Sequence, residues 1–130
     1  MIVDSTDPQG PGAVLFTESF YRDCRALLRA GGVMVSECGN PAVNPDELVT
    51  TQARQRAAGF ADVSYYFAPV PTYVGGSMAL GWASDAAALR TVGAAELRAH
   101  GVPPGLRHYT PEIHLAAFAH PAWLIERVGG

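Results

Sequence analysis

Basic residues are scarce in this sequence. Nine Lys plus Arg stand against twelve Asp plus Glu, a net charge of −3, so the positive excess that a phosphate backbone requires is missing and nucleic-acid binding is excluded as a function class. No apolar run approaches the roughly 20 residues that span a bilayer, and no charged segment leading into an apolar core opens the chain, which therefore reads as cytosolic and free of the membrane. Cysteine is limited to Cys24 and Cys38, without CxxC spacing, one in a helical segment and one at a strand end, and both are expected as buried free thiols rather than as a disulfide. Repeats and low-complexity tracts are absent, and so is any GxGxxG stretch, since Gly31-Gly32 and Gly75-Gly76 are isolated pairs. His100, His108, His114 and His120 are not spaced i, i+4 on a helix face with an acidic third ligand, so they read as structural histidines and no metal is expected.

What remains is 130 residues, 48% hydrophobic, enough for one domain with a real core. Met1-Ile2-Val3 is a short apolar run ending in Asp4-Ser5-Thr6-Asp7-Pro8-Gln9-Gly10-Pro11, where Pro8, Gly10 and Pro11 forbid a regular helix. This is how the carboxyl end of a buried parallel strand reads, and ligands bind outside such ends in open α/β sheets, so Asp4 and Asp7 stand where chemistry is expected. Two Asp residues in a Pro/Gly loop also read as turn formers, and spacing alone does not choose between the two.

The rest of the chain alternates. Residues 13–29 are predicted as a first helix, with Val14, Leu15, Tyr21, Cys24, Leu27 and Leu28 near helical spacing and Glu18, Arg22, Arg25 and Arg29 as a solvated face, stopped by Gly31-Gly32. Val33-Met34-Val35 follows as a short buried strand, and Asn44-Pro45-Asp46-Glu47 starts a second helix that Gly59 closes. Residues 63–70, aromatic and β-branched, and the apolar run 77–83 read as an antiparallel pair, with Tyr65-Tyr66-Phe67 as strand packing. Residues 85–100 are predicted as a helix capped by Ser84 or Asp85, and 111–128 as a helical region interrupted near Pro121. The fold class is α/β, with four strands, the first two parallel and the last two a hairpin on the edge, and flanking helices.

Asp4 through Pro11, Leu15-Phe-Thr-Glu-Ser-Phe-Tyr21, Gly31-Gly32, Pro71-Thr-Tyr-Val-Gly-Gly76 and Ile113-His-Leu-Ala-Ala-Phe118 together resemble the spermidine synthases, the polyamine aminopropyltransferases. The resemblance covers essentially the whole chain but only about the C-terminal half of a family member. It implies a partial Rossmann-like sheet of the methyltransferase type, with residues 1–130 as the C-terminal part of the catalytic domain and with the N-terminal β domain and the glycine-rich nucleoside-binding half absent. It implies transfer of an aminopropyl group from decarboxylated S-adenosylmethionine, a co-substrate rather than a bound cofactor, to putrescine, giving spermidine and 5'-methylthioadenosine. By resemblance Asp4 is the general base, and Asp4, Ser5, Thr6, Asp7, Glu37 and Tyr73 surround the amine. Pro11 and Leu15 lie on the nucleoside side of the same loop. Glu37 departs from the family pattern, which carries Gln there, and adds a third carboxylate that strengthens ammonium binding or raises a neighbouring pKa. Tyr73 alternatively reads as a loop tyrosine packed on the hairpin. A second reading of the whole chain is a non-catalytic fragment or assembly unit, a homo-oligomer or the complement of an N-terminal half, because an open apolar edge strand invites pairing.

Overall fold

The structure, a computed structural model, describes residues 1–5 and 8–129. Four strands form one sheet in the order β1 (Ile2–Val3), β2 (Val33–Glu37), β4 (Ser77–Ser84), β3 (Asp62–Pro69). β1 and β2 are parallel, pairing Ile2 with Val35 and Val3 with Ser36. β3 and β4 are antiparallel from Asp62↔Ser84 to Pro69↔Ser77, and β4 also runs antiparallel to β2, so β4 is internal and only β3 of the hairpin lies at the sheet edge.

A strand turns successive side chains to opposite faces, so the register sorts the residues. Met34, Cys38, Tyr65, Ala79 and Ala83 point to one face and are buried under α1 (Glu18–Leu27), α2 (Pro45–Ala57) and α5 (Ala122–Val128), in two clusters built on Tyr21, Cys24 and Phe60 and on Leu48 and Leu124. Gly81 lies on this face too, where Ser36 and Gln55 meet in a buried hydrogen bond of 3.0 Å. On the opposite face Trp82 and Tyr66 pack against Phe118 beyond α4 (Pro111–Ala117), with ring centroids at 5.7 and 5.4 Å.

The predicted first helix is two elements. Residues Gly10–Phe16 form a 3₁₀ helix, and Thr17 breaks the run: its Oγ1 donates to the Val14 carbonyl oxygen at 2.9 Å and accepts from the Phe20 N–H at 3.2 Å, ending one element and capping the next. Val14 and Leu27, expected on the apolar face, are exposed. The predicted helix over 85–100 is also divided, into a 3₁₀ turn at Ala87–Leu89 and α3 (Ala94–Ala99), with Gly93 at its N-terminus. Asp85 is taken by distant partners, the Arg25 Nε at 3.0 Å and the Ala61 N–H at 3.2 Å, so it does not cap a helix. Asn44 precedes α2 but makes no cap hydrogen bond; its amide reaches Glu47 instead, at 3.4 Å. Pro121 separates α4 from α5, where the sequence placed the interruption.

The free edge of β3 is covered by the segment between α4 and α5. His120 stacks on Tyr65 at a centroid distance of 3.6 Å, and its Nε2 donates to the outward Tyr65 carbonyl oxygen at 2.7 Å, which satisfies a backbone acceptor the sheet leaves open. Cys24 and Cys38 are buried free thiols, and burial pushes the Cys38 thiol up to about 12. No helix among the described residues is long and apolar enough to cross a membrane.

Candidate active site

The parallel pair β1 and β2 sets the site. Because Val3 pairs with Ser36, the residues that follow them, Asp4 just past β1 and Glu37 at the last position of β2, stand at the same carboxyl end, and both line one open cavity of about 1070 Å³. Its floor is the sheet face itself, with Val35, Leu80, Met78 and Tyr66, so apolar and aromatic surface lies under an acidic rim. Asp4 is exposed at the rim, and Glu37 is half-buried.

The loop after β2 shapes the second wall. The Glu37 carboxylate accepts the Gly39 N–H, while the Gly39 carbonyl accepts the Ala79 N–H at 2.9 Å, extending the pairing to β4. Gly39 has φ +69°, and a Cβ there would meet the Glu47 carboxylate at 2.9 Å, so glycine both permits the turn and lets Glu47 approach. Asn40 closes the loop on itself, its Oδ1 accepting from Ala42 N–H at 3.0 Å and its carbonyl from the Val43 and Asn44 N–H groups. Its Nδ2 donates across the cavity mouth to the Val74 carbonyl oxygen.

Val74 belongs to the third wall, the loop joining β3 to β4. Tyr73 is 54% exposed and lines the cavity with Val70 and Val74. The tyrosine that packs on the hairpin at the cavity is Tyr66, whose hydroxyl burial holds above the ordinary phenol range.

Of the site residues expected from sequence, Asp4, Ser5, Glu37 and Tyr73 come together around this cavity. Thr6 and Asp7 lie outside the described residues. Pro11, exposed, and Leu15, half-buried, sit on the 3₁₀ helix and do not line the cavity, where Pro8 and Gln9 stand instead. Tyr66, Asn40, Asn44 and Glu47 line it without having been singled out. Period-two alternation separates Tyr66 from the buried Tyr65, and Asn40 to Glu47 spans the loop after β2 and the first turn of α2, so both signals were present in the sequence. Among the described residues no group of three His, Cys, Asp or Glu side chains could hold a metal ion.

The class the described residues define is α/β: a mixed four-stranded sheet with flanking helices and an acid-rimmed cavity at the carboxyl end of its parallel pair. The model of the family described as spermine/spermidine synthase domain matches residues 1–92, and the chain belongs to this family. It is 44% identical over 131 residues to polyamine aminopropyltransferase 1 of Pseudomonas aeruginosa, covering 99% of this chain and 46% of that protein. It is 47% identical over 126 residues to the polyamine aminopropyltransferase of Ruegeria sp., covering 95% and 44%. A crystal structure of spermidine synthase in complex with the transition state analogue AdoDATO superposes with a TM-score of 0.81 at 28% identity, over 96% of this chain and 42% of that one. The spermidine synthase of Thermotoga maritima gives 0.77 at 26% identity, over 92% and 40%. The fold is thus that of the spermidine synthases over this span, and the chain spans less than half the length of the curated relatives it matches.

Proposed function

We propose that this chain is the C-terminal part of an aminopropyltransferase catalytic domain, acting on putrescine with decarboxylated S-adenosylmethionine as co-substrate. The observation that carries the reading is the parallel register of β1 and β2, which delivers Asp4 and Glu37 to one apolar-floored cavity. An alkylammonium suits such a place, its methylenes on Val35 and Leu80 and its charged end at the carboxylates.

The reaction asks little else. An amine nitrogen must give up a proton before its lone pair attacks the methylene next to the sulfonium; a C–N bond forms, the C–S bond breaks, and its electron pair neutralises the sulfur. Asp4 takes the proton in this reading, and Tyr73 walls the amine. Ser5 and Glu37 lie beside it, Glu37 as an additional counter-charge; Thr6 and Asp7 are assigned to the same role from the sequence motif, and Pro11 and Leu15 to the nucleoside side. The sulfonium is itself the activating group, so the transfer calls on no resident cofactor. The cytosolic reading of the composition fits small polar substrates.

The test is calorimetric titration of the 130-residue chain with putrescine and 5'-methylthioadenosine, then turnover with decarboxylated S-adenosylmethionine. In a complete enzyme context Asp4→Asn is expected to lower kcat about 10²- to 10⁴-fold with the melting temperature unchanged. Near-normal turnover of that variant removes Asp4 from the role of base.

One observation favours a second reading, that the chain works only when joined to another half. β1 is a two-residue edge strand with Ile2 82% exposed, and the chain spans 46% of its Pseudomonas aeruginosa relative. Light scattering on the eluted protein separates the readings: a clean monomer that turns over substrate rules out the need for a complement.

A further inference from the structure

The loop of residues 70–76, which carries Tyr73, has little to hold it in place. Tyr73 and Val74 are 54% and 78% exposed, so burial contributes little to ordering them, and Gly75 and Gly76 both lie at positive φ. Its internal bonds are turns that close the loop on itself: Val70 N–H to the Gly76 carbonyl at 2.9 Å, Tyr73 N–H to Val70 at 3.0 Å and Gly76 N–H to Tyr73 at 2.9 Å. Among the described residues, the one hydrogen bond that leaves this loop for another part of the chain comes from Asn40 Nδ2 to the Val74 carbonyl oxygen.

Asn40 is itself well anchored, because its other polar groups hold Ala42, Val43 and Asn44 in the turn that leads into α2. The side chain therefore joins a rigid turn to a weakly held loop across the mouth of the cavity that both line. We infer that Asn40 is a positioning residue, tying the Tyr73 loop to the cavity mouth and thereby setting the affinity for the amine. It touches no reacting atom in this role. The affinity part rests on the aminopropyltransferase reading above, whereas the tie does not.

Asn40→Asp isolates the tie. The carboxylate keeps the acceptor for Ala42 N–H but cannot donate to Val74, and two oxygens then face each other. The added negative charge by itself would tighten binding of a cation, so charge and tie pull the amine affinity in opposite directions. Amide hydrogen exchange on the full chain is expected to rise about fivefold in peptides covering 70–77 and to stay unchanged in β3 and β4, the loss of one hydrogen bond of ordinary strength. The putrescine dissociation constant is expected to rise by less than this, about twofold, because the added charge offsets part of the loss, and by about fivefold in the uncharged Asn40→Ser, with that for 5'-methylthioadenosine unmoved in both. Unchanged exchange over 70–77, a uniform rise across the sheet, or tighter putrescine binding with the loop unchanged overturns the inference. Should Asn40→Asp fail to fold, Asn40→Ser, which also retains an acceptor for Ala42, is judged by the same exchange pattern. If the parent chain binds no putrescine, the reading that this chain holds the amine without a complementing half fails, and the exchange pattern still decides the tie.

Discussion

Gly81→Ala is the substitution whose outcome the packing specifies most closely. Gly81 sits in the internal strand, paired with Ser36 on one side and Tyr65 on the other, under α2. A Cβ there would stand 2.8 Å from Cys38 Sγ, 2.9 Å from Ser36 Oγ and 3.3 Å from Gln55 Nε2. Cys38 and Gln55 are fully buried and Ser36 nearly so, and the Gln55–Ser36 hydrogen bond fixes two of the three, so the neighbours have no free direction in which to yield. Overpacking of this kind costs about 1–3 kcal/mol, and the smaller backbone entropy of alanine in the unfolded chain returns roughly 0.4–1 kcal/mol of it. The net expectation is a loss of about 1–2 kcal/mol, or roughly 3–8 °C in Tm for a chain of this size. Urea denaturation reads it as a lower midpoint with an unchanged m value. A double-mutant cycle adds the mechanism: in a Cys38→Ala background the contact at 2.8 Å is gone, so the Gly81→Ala penalty shrinks by about 0.5–1 kcal/mol. Equal or greater stability of Gly81→Ala, or strict additivity with Cys38→Ala, refutes the packing argument.

Asp62→Ala is expected to cost about 2–3 kcal/mol by thermal unfolding. The buried carboxylate accepts from Arg90 Nε at 3.0 Å, Arg90 Nη2 at 2.8 Å and Trp82 Nε1 at 3.1 Å, and its removal leaves a partly buried guanidinium and an indole N–H without that acceptor. Stability is also expected to fall on mild acidification. Burial holds His114 and His120 below the ordinary 6.5, so the unfolded chain takes up protons first and the stability present near pH 7 is lost as pH drops from about 6.5 toward their folded values. A Tm that stays level or rises between pH 7 and 5 contradicts this, and His120→Gln, which keeps a donor for the Tyr65 carbonyl, is expected to flatten the slope.

Much of the sheet was legible because its signals are local. Asp62–Pro69 is rich in aromatics, Ser77–Ser84 is a largely apolar run, a Pro/Gly loop joins them, and Pro45 at the first helical position with Asp46 and Glu47 behind it marks the start of α2. The composition of residues 13–29 and of 85–100 allows an unbroken helix in each. What divides them is a competition that spacing does not register: the Thr17 hydroxyl turned onto Val14 and Phe20, and Asp85 drawn to Arg25 sixty residues away. The insertion of β4 between β2 and β3 was also out of reach, since either strand of a hairpin can face the rest of a sheet and only the burial of Ala79, Gly81 and Ala83 against α2 and its neighbours selects one.

The site divides along the same line. By itself the sequence determined that an acidic, proline-broken loop follows a first strand, that a carboxylate ends the second, and that the whole resembles one enzyme family, because chain connectivity and residue chemistry carry those facts. Only the tertiary structure decided which side chains share the cavity. It brought Glu47, Asn40 and Tyr66 to Asp4 and Glu37, left Pro11 and Leu15 outside, and joined two loops through Asn40, because strand register and the packing of α2 on the sheet fix relative positions that no local pattern encodes.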